Sequence, residues 1–479
     1  MAETVTPPRG LLVVLCSAGI VVSTMHTAIV PLVPKLPDIL HTGPADAYWA
    51  VTATLLAAAV LTPIAGRLGD MYGKKRILIG TLVSLVVGSV VCAFADSIET
   101  MVVGRALQGA ASGAIALGIS ILRDELPEER VGPAIALMSS SMGLGGAFGL
   151  PIAAVIADGT DWHVLFWIAA AMSLACLVAV WFLVPESPVK SPGRFDAVGA
   201  IGLAAGLICL MLVITRGNQQ GWTSAEILGL LAGAVVVFPL WGFHQMRRRE
   251  PLVDLRVSSR PQVLFTNLAS ISIGFAMYGT SLICTQILMS PEGSGYGLGL
   301  TMVETGLVMA PGGLMMFVCS RLGARISAAR GPRTSLLVGT VVLGVGYAVG
   351  LVAHGDVVSV VACSVLVSGG IGIAYAAMPA LIMDAVPVSE TAAANGLNAL
   401  MRSLGTTSSA AVLSAVLSAA TVVVAGHEMP SGAAISRGFA VCLAAAVISL
   451  GLGALVPRRG SGSAQLSEHR SGGVVSAQS

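Results

Sequence analysis

The sequence predicts an all-α integral membrane protein of fourteen transmembrane helices, arranged as two six-helix bundles with two further helices inserted between them. Three observations carry that expectation. Apolar runs recur along the 479 residues at about the 20-residue length a helix needs to cross a bilayer. Basic residues crowd into alternate connections between those runs, as the positive-inside rule requires of cytoplasmic loops. The chain also repeats itself: Asp124-Glu-Leu-Pro127 followed by Ala134-x-x-Leu137 lines up with Asp384-Ala-Val-Pro387 followed by Ala394-x-x-Leu397, an offset of 260 residues. Gly145 meets Gly405 at the same offset. Parallel repeats of this size build two bundles around a central site in transporters.

Composition excludes a soluble globule. The chain is 55% hydrophobic and 10% charged, with a mean hydropathy of +0.87, whereas soluble domains carry about 25% charged residues. The eight cysteines at 16, 92, 176, 209, 284, 319, 363 and 442 all fall in apolar runs, without metal-site spacing, and read as small packing residues. Arg9 precedes the first run, and no small-residue cleavage site follows it, so that run is expected to be a retained span.

The spans are expected near 11–31, 48–66, 77–95, 100–122, 133–156, 164–184, 196–215, 225–245, 263–289, 302–320, 334–353, 358–382, 396–425 and 438–457. Lys35, Arg216 and Arg437 alone among the 26 Lys and Arg residues fall in connections on the far side, and Arg105 and Arg402 lie inside spans. Both termini are therefore expected in the cytoplasm of a cell that carries the protein in its cytoplasmic membrane. The expected organisation is a first bundle over 1–190, two linker helices with a cytoplasmic loop over 191–260, a second bundle over 261–457, and a disordered tail over 458–479.

Between the second and third spans lies Gly66-Arg-Leu-Gly-Asp-Met-Tyr-Gly-Lys-Lys-Arg76, read as a short basic loop. Gly66 and Gly73 allow a tight turn and close helix approach, and Asp70 is placed to bond the N-terminus of another helix or to face Arg123 or Arg130. A weak copy, Ala324-Arg-Ile-Ser-Ala-Ala-Arg-Gly331-Pro-Arg333, follows 258 residues later with Ala328 in place of the acid. The order Gly-x-Leu-x-Asp-x-x-Gly-(Lys/Arg)-(Lys/Arg) resembles the loop signature of the major facilitator superfamily.

Span four opens Gly104-Arg105-Ala-Leu-Gln108-Gly109-Ala-Ala-Ser112-Gly113. A charge inside the bilayer costs at least ~2.5 kcal/mol, so Arg105 reads as functional, the alternative being an interfacial side chain snorkelling outward. Gln108 shares its face, and Gly109 and Gly113 form a small-residue stripe for helix packing. Span five carries Gly145-x-x-x-Gly149 and Pro151, a close-packing and bending combination. Arg-x-x-Gln-Gly matches the superfamily's fourth-span signature, and span five resembles the fifth-span antiporter signature, with the proline one residue late and Ala153-Ala154 for the final glycines. With Trp49-Ala-Val-Thr52-Ala-Thr54, Pro63, the span count and the inserted pair, the chain resembles the fourteen-span drug:proton antiporter family over essentially its whole length.

That resemblance implies export of small amphipathic molecules driven by inward proton flow, with two bundles rocking about a central cavity. It implies a conformational latch at Gly66, Asp70, Gly73, Lys74, Lys75 and Arg76. The most informative departure is in span one. The family shows an acid there, where this chain has Met25 followed by His26. With no deep carboxylate in the spans, a neutral or acidic substrate is expected, lined by Met25, Asn398 and Arg402. Arg402 has two readings, a cavity residue or a cytoplasmic-end side chain bonding carbonyls or lipid phosphate. His26, at a depth similar to Arg105 and Gln108, is a candidate for proton exchange, though a lone buried histidine is more often a core residue.

One proton crossing 100 mV releases about 2.3 kcal/mol, and one pH unit adds ~1.4. ATP hydrolysis has no Gly-x-x-x-x-Gly-Lys-(Ser/Thr) loop to run on. The expected partners are a small-molecule substrate, protons and the lipid bilayer, without nucleic acid, for a monomer that uses no cofactor beyond the proton gradient. A receptor or membrane enzyme would need a cluster of paired histidines or acids, which the spans lack. An importer of a small metabolite shares the same pattern.

Overall fold

In the computed structural model, residues 10–457 are described apart from positions 30, 31, 33–35, 43, 48, 160, 192, 425 and 426. The expected tail over 458–479 and the last residues of the first predicted span lie outside the described residues. Fourteen long helices follow one another: α1 Leu11–Ala28, α2 Trp49–Tyr72, α3 Lys74–Ala93, α4 Ile98–Glu125, α5 Glu128–Gly159, α6 His163–Leu183, α7 Ala197–Gln220, α8 Ala225–Arg247, α9 Pro261–Met289, α10 Met302–Arg330, α11 Pro332–Val352, α12 Val357–Met383, α13 Thr391–Ser418 and α14 Gly432–Leu455. Thirteen of them, all but α13, are long and apolar enough to cross a membrane. Apolar side chains such as Phe94, Trp181, Phe182, Val235, Leu240 and Val352 stay exposed on their outer faces, as lipid-facing helices require.

Local chemistry sets the helix ends. Ser97, Asp196, Ser224, Asp356 and Ser431 each accept a backbone N–H from the first turn they precede, satisfying donors that a helix start leaves open. Thr301 and Glu304 close a reciprocal capping box at the start of α10. Within α4 the helix tightens into a 3-10 turn at Ala110–Ser112, inside the small-residue stripe.

Buried residues of α1–α6 form one core around Leu15, Leu82, Leu117 and Met138, and those of α9–α14 form another around Ile283, Leu343, Val367 and Phe439. α7 packs its Leu203, Leu207 and Met211 against Ala59 of α2 and Leu400 of α13. α5 lies between the two cores. A Cβ on Gly145 would meet Ser23 of α1 at 2.5 Å, and one on Gly149 would meet Thr27. On the other side Gly313 and Gly306 of α10 close against Ala147 and Pro151. Both contacts depend on residues without side chains at the crossing.

Several boundaries differ from expectation, those of α2, α10 and α13 most informatively. Gly66–Tyr72, read as loop, is the last two turns of α2, and only Gly73 breaks the chain before α3. Gly73 does so at φ 115°, a left-handed conformation that suits glycine. The second copy of the motif behaves alike: α10 runs on to Arg330, ten residues past its expected end, and breaks at Gly331 with φ 86°. The thirteenth span, expected over 396–425, starts at Thr391 and ends at Ser418. Its Thr-Val-Val-Val continuation forms a strand, Thr421–Val424, paired antiparallel with His427–Pro430, because β-branched side chains are crowded in a helix and comfortable in a strand.

Candidate functional site

At the end of the bundle that carries the basic residues, the fold gathers a buried charge cluster. The Asp70 carboxylate, fully buried, accepts Ala393 N–H at 2.8 Å and Ala392 N–H at 3.3 Å. These are donors of the first turn of α13, where the helix dipole favours an anion. The approach is possible because Gly66 has no side chain: a Cβ there would lie 2.4 Å from the Ala392 carbonyl oxygen. Lys74, also fully buried, sets its ammonium 2.5 Å from Asp124 Oδ2 and 3.7 Å from Asp70 Oδ1. Ser187 donates a further short hydrogen bond to Asp124, and Ser191 N–H bonds the Asp70 carbonyl at 2.7 Å. The segment after α6 is thereby strapped over the cluster.

Of the expected latch residues, Gly66, Asp70, Gly73 and Lys74 belong to this arrangement. Arg76 is exposed and, among the described residues, pairs with Glu186 at 3.8 Å; Lys75, half-buried, joins no ion pair among them. Arg123 does not face Asp70. It donates to the Met383 carbonyl at 3.0 Å, where Gln262 and Arg260 also bond the Leu381 and Ala385 carbonyls, so three donors cap the end of α12. Asp124 and Ser187 were not singled out from the sequence for chemistry. The Asp124-Glu-Leu-Pro repeat marked the position, but its pairing with Lys74 joins residues 50 apart in sequence.

Nearer the other end, Arg105 is 1% exposed and turned inward. Its Nε donates to Ala50 O at 2.9 Å, and its Nη1 donates to Met25 O at 3.0 Å and Gln108 Oε1 at 2.6 Å. Gln108 is in turn held by Nε2 donating to Ser89 Oγ at 2.9 Å. The snorkelling alternative does not describe this side chain. Its fork ties α1, α2 and α4 together, and Gly109 and Gly113 let α4 seat against Thr54 and Ala65. Met25, expected to line a cavity, has its side chain in the core at 4% exposure and offers its carbonyl to Arg105 instead. His26, half-buried, lies 3.1 Å from Ser112 Oγ through Nε2.

In the second half, Asn398 donates to Asn267 Oδ1 at 3.0 Å and to Ser270 Oγ at 2.6 Å, linking α13 to α9. Arg402 is 7% exposed, with its guanidinium carbon 5.0 Å from the centre of the Tyr375 ring. Because α13 starts at Thr391, Arg402 lies about three turns in, ~16 Å along the axis, about one turn further from the helix start than a span beginning at 396 would place it. The described residues contain no cluster of His, Cys, Asp or Glu suited to a metal ion.

Membrane-length helices with buried charges held between them define a multi-pass helical membrane protein. The chain belongs to the Major Facilitator Superfamily, whose family model matches residues 15–410. It is 28% identical over 383 residues to a Streptomyces coelicolor protein named "Probable actinorhodin transporter", covering 76% of this chain and 64% of that protein. The chain thus spans somewhat under two thirds of that relative's length. It is 26% identical over 400 residues to multidrug resistance protein 3 of Bacillus subtilis, covering 81% of this chain and 76% of that protein. In fold it is similar to the crystal structure of the human organic anion transporter MFSD10 (TETRAN), with a TM-score of 0.65 and 13% identity over 94% of this chain and 100% of that one.

Proposed function

We propose that the protein is a proton-coupled exporter of small amphipathic compounds, neutral or acidic, working by alternating access from the cytoplasmic membrane with both termini in the cytoplasm. Residues 1–190 and 261–457 are the two moving bundles in this reading, and 191–260 supply the inserted pair. The name multidrug resistance protein 3, carried by one relative, supports the direction of transport.

The observation that carries the reading is the Asp70 carboxylate seated on the first turn of α13. It joins a helix of the first half to one of the second with two charge-assisted hydrogen bonds, and such a contact must break when the cytoplasmic side opens. The substrate class is supported by the distribution of buried charge. Among the described residues the buried acids Asp70 and Asp196, with the buried side chain of Asp124, all lie at the basic end, while Arg105 and Arg402 are buried along the spans. A permanent cation would meet like charge and no counter-charge in a low-dielectric interior.

Transport by inverted membrane vesicles tests the reading. ATP-generated proton gradients should drive a neutral or weakly acidic dye into the vesicles, and a protonophore should abolish it. Accumulation in intact cells instead would mark an importer of a metabolite on the same fold.

A further inference from the structure

Four cations are buried in this chain among the described residues: Arg67, Lys74, Arg105 and Arg402. Three are accounted for. Lys74 lies between Asp124 and Asp70, Arg67 stands within the field of Asp70, and Arg105 has three acceptors. Arg402 has neither a carboxylate nor a hydrogen-bond acceptor among the described residues, and the Tyr375 ring is its one electrostatic neighbour. Its nitrogens are not sealed in, for none is among the fully enclosed polar atoms left without a partner. It lies about three turns into α13, with its guanidinium over the Tyr375 ring.

We propose that Arg402 is the receptor for an acidic group on the transported compound, a carboxylate or comparable monoanion attached to an apolar body. Arg105, whose donors are tied to α1, α2 and α4, is a positioning residue that holds the first half together. An uncompensated buried guanidinium is destabilising in the empty protein, and a carboxylate supplies what it lacks: a planar acceptor for its fork. The Tyr375 face orients that fork by stacking on one side and leaves its edge for the ligand. Asn398, one turn back, is already engaged with Asn267 and Ser270, so it stiffens the wall rather than competing for the anion. This assignment rests on the export reading for its physiological meaning, but the binding step it describes needs no gradient.

The test uses the full-length protein in lipid nanodiscs with two fluorescent probes, dansyl-leucine and its methyl ester, of which the ester lacks the negative charge and carries one extra methyl. The wild-type protein should bind the acid about tenfold or more tightly than the ester, since a charge-assisted bond supplies the difference. Arg402→Gln should bind the acid no more tightly than the ester, and Arg402→Lys should keep part of the preference. Thermal unfolding without ligand should show Arg402→Gln at least as stable as wild type, because an uncompensated charge has gone. Equal binding of the two probes by wild type, no binding of the acid, a preference surviving in Arg402→Gln, or a fall of several degrees in its Tm would each overturn the assignment. A protein that binds the acid through Arg402 yet fails to move it in energised vesicles would instead overturn the export reading.

Discussion

Asp70 illustrates how much one side chain does at the residue scale. Its two oxygens take the Ala392 and Ala393 N–H groups, and its position is held by Lys74 and by Ser191 on its own carbonyl. Asp70→Asn keeps the size and loses the charge that the helix dipole favours, weakening the contact by about 1–3 kcal/mol. We expect the variant to be inserted and folded but severely impaired in vesicle transport; wild-type rates would show that the seat on α13 is incidental. Arg105→Lys is the second test. Lysine is a point charge and cannot reproduce bonds from Nε and Nη1 to Ala50, Met25 and Gln108 at once. It should lower Tm by several degrees and reduce transport, whereas a lipid-facing arginine would accept the change silently. What was legible at this scale was residue type. Arg105 and Gln108 stand out in the sequence because charge and amide groups are rare and costly in spans, and Asp70 because it sits in the glycine-and-base motif between two of them. Their partners were not, because Ala50 O, Met25 O and the N–H groups of Ala392 and Ala393 are backbone atoms that every residue has.

Among the elements, α2, α5 and α13 do the joining, and each relies on missing side chains. Gly66→Ala would drive a Cβ to 2.4 Å from the Ala392 carbonyl and separate α2 from α13 without touching Asp70 itself. It should therefore reproduce the transport defect of Asp70→Asn, and cysteines placed at Ala392 and Ala393 should become more accessible to a membrane-impermeant maleimide. An unchanged labelling rate would count against the close approach. Element existence was readable from the sequence because each span is an apolar run of bilayer length. Boundaries were less so where a helix outlasts its apolar run. α10 continues past its expected end to the charged Arg330, and α13 starts five residues early, because capping and packing rather than hydropathy stop a helix. α13 is also the one long helix not apolar enough to count as a span by composition: Asn395 and Thr407 bond carbonyls of their own helix, and Asn398 bonds Asn267 and Ser270 of α9.

For the whole molecule, the charge distribution should decide what is carried. Expression should protect cells poorly against quaternary ammonium dyes and better against neutral or acidic amphiphiles, measured as a susceptibility panel against a strain lacking the protein. Met25→Asp, which puts a carboxylate where the resembled family has one, on the residue whose carbonyl Arg105 already bonds, should move the profile toward cations. Strong gradient-dependent ethidium efflux by the unmodified protein would show that buried charge does not set selectivity here.

The two glycine breaks, Gly73 and Gly331, carry one more consequence. Both joints bend the chain in the same left-handed way, yet only the first is preceded by an acid, since Ala328 stands where Asp70 would. On the proposed alternating-access reading, the molecule would have a duplicated elbow and a single brake. With one carboxylate biasing one of two states, every ~1.4 kcal/mol added to or taken from that contact would shift the resting population about tenfold. A lineage under pressure for faster or slower turnover could retune the machine by polishing the surroundings of Asp70, leaving the substrate path untouched.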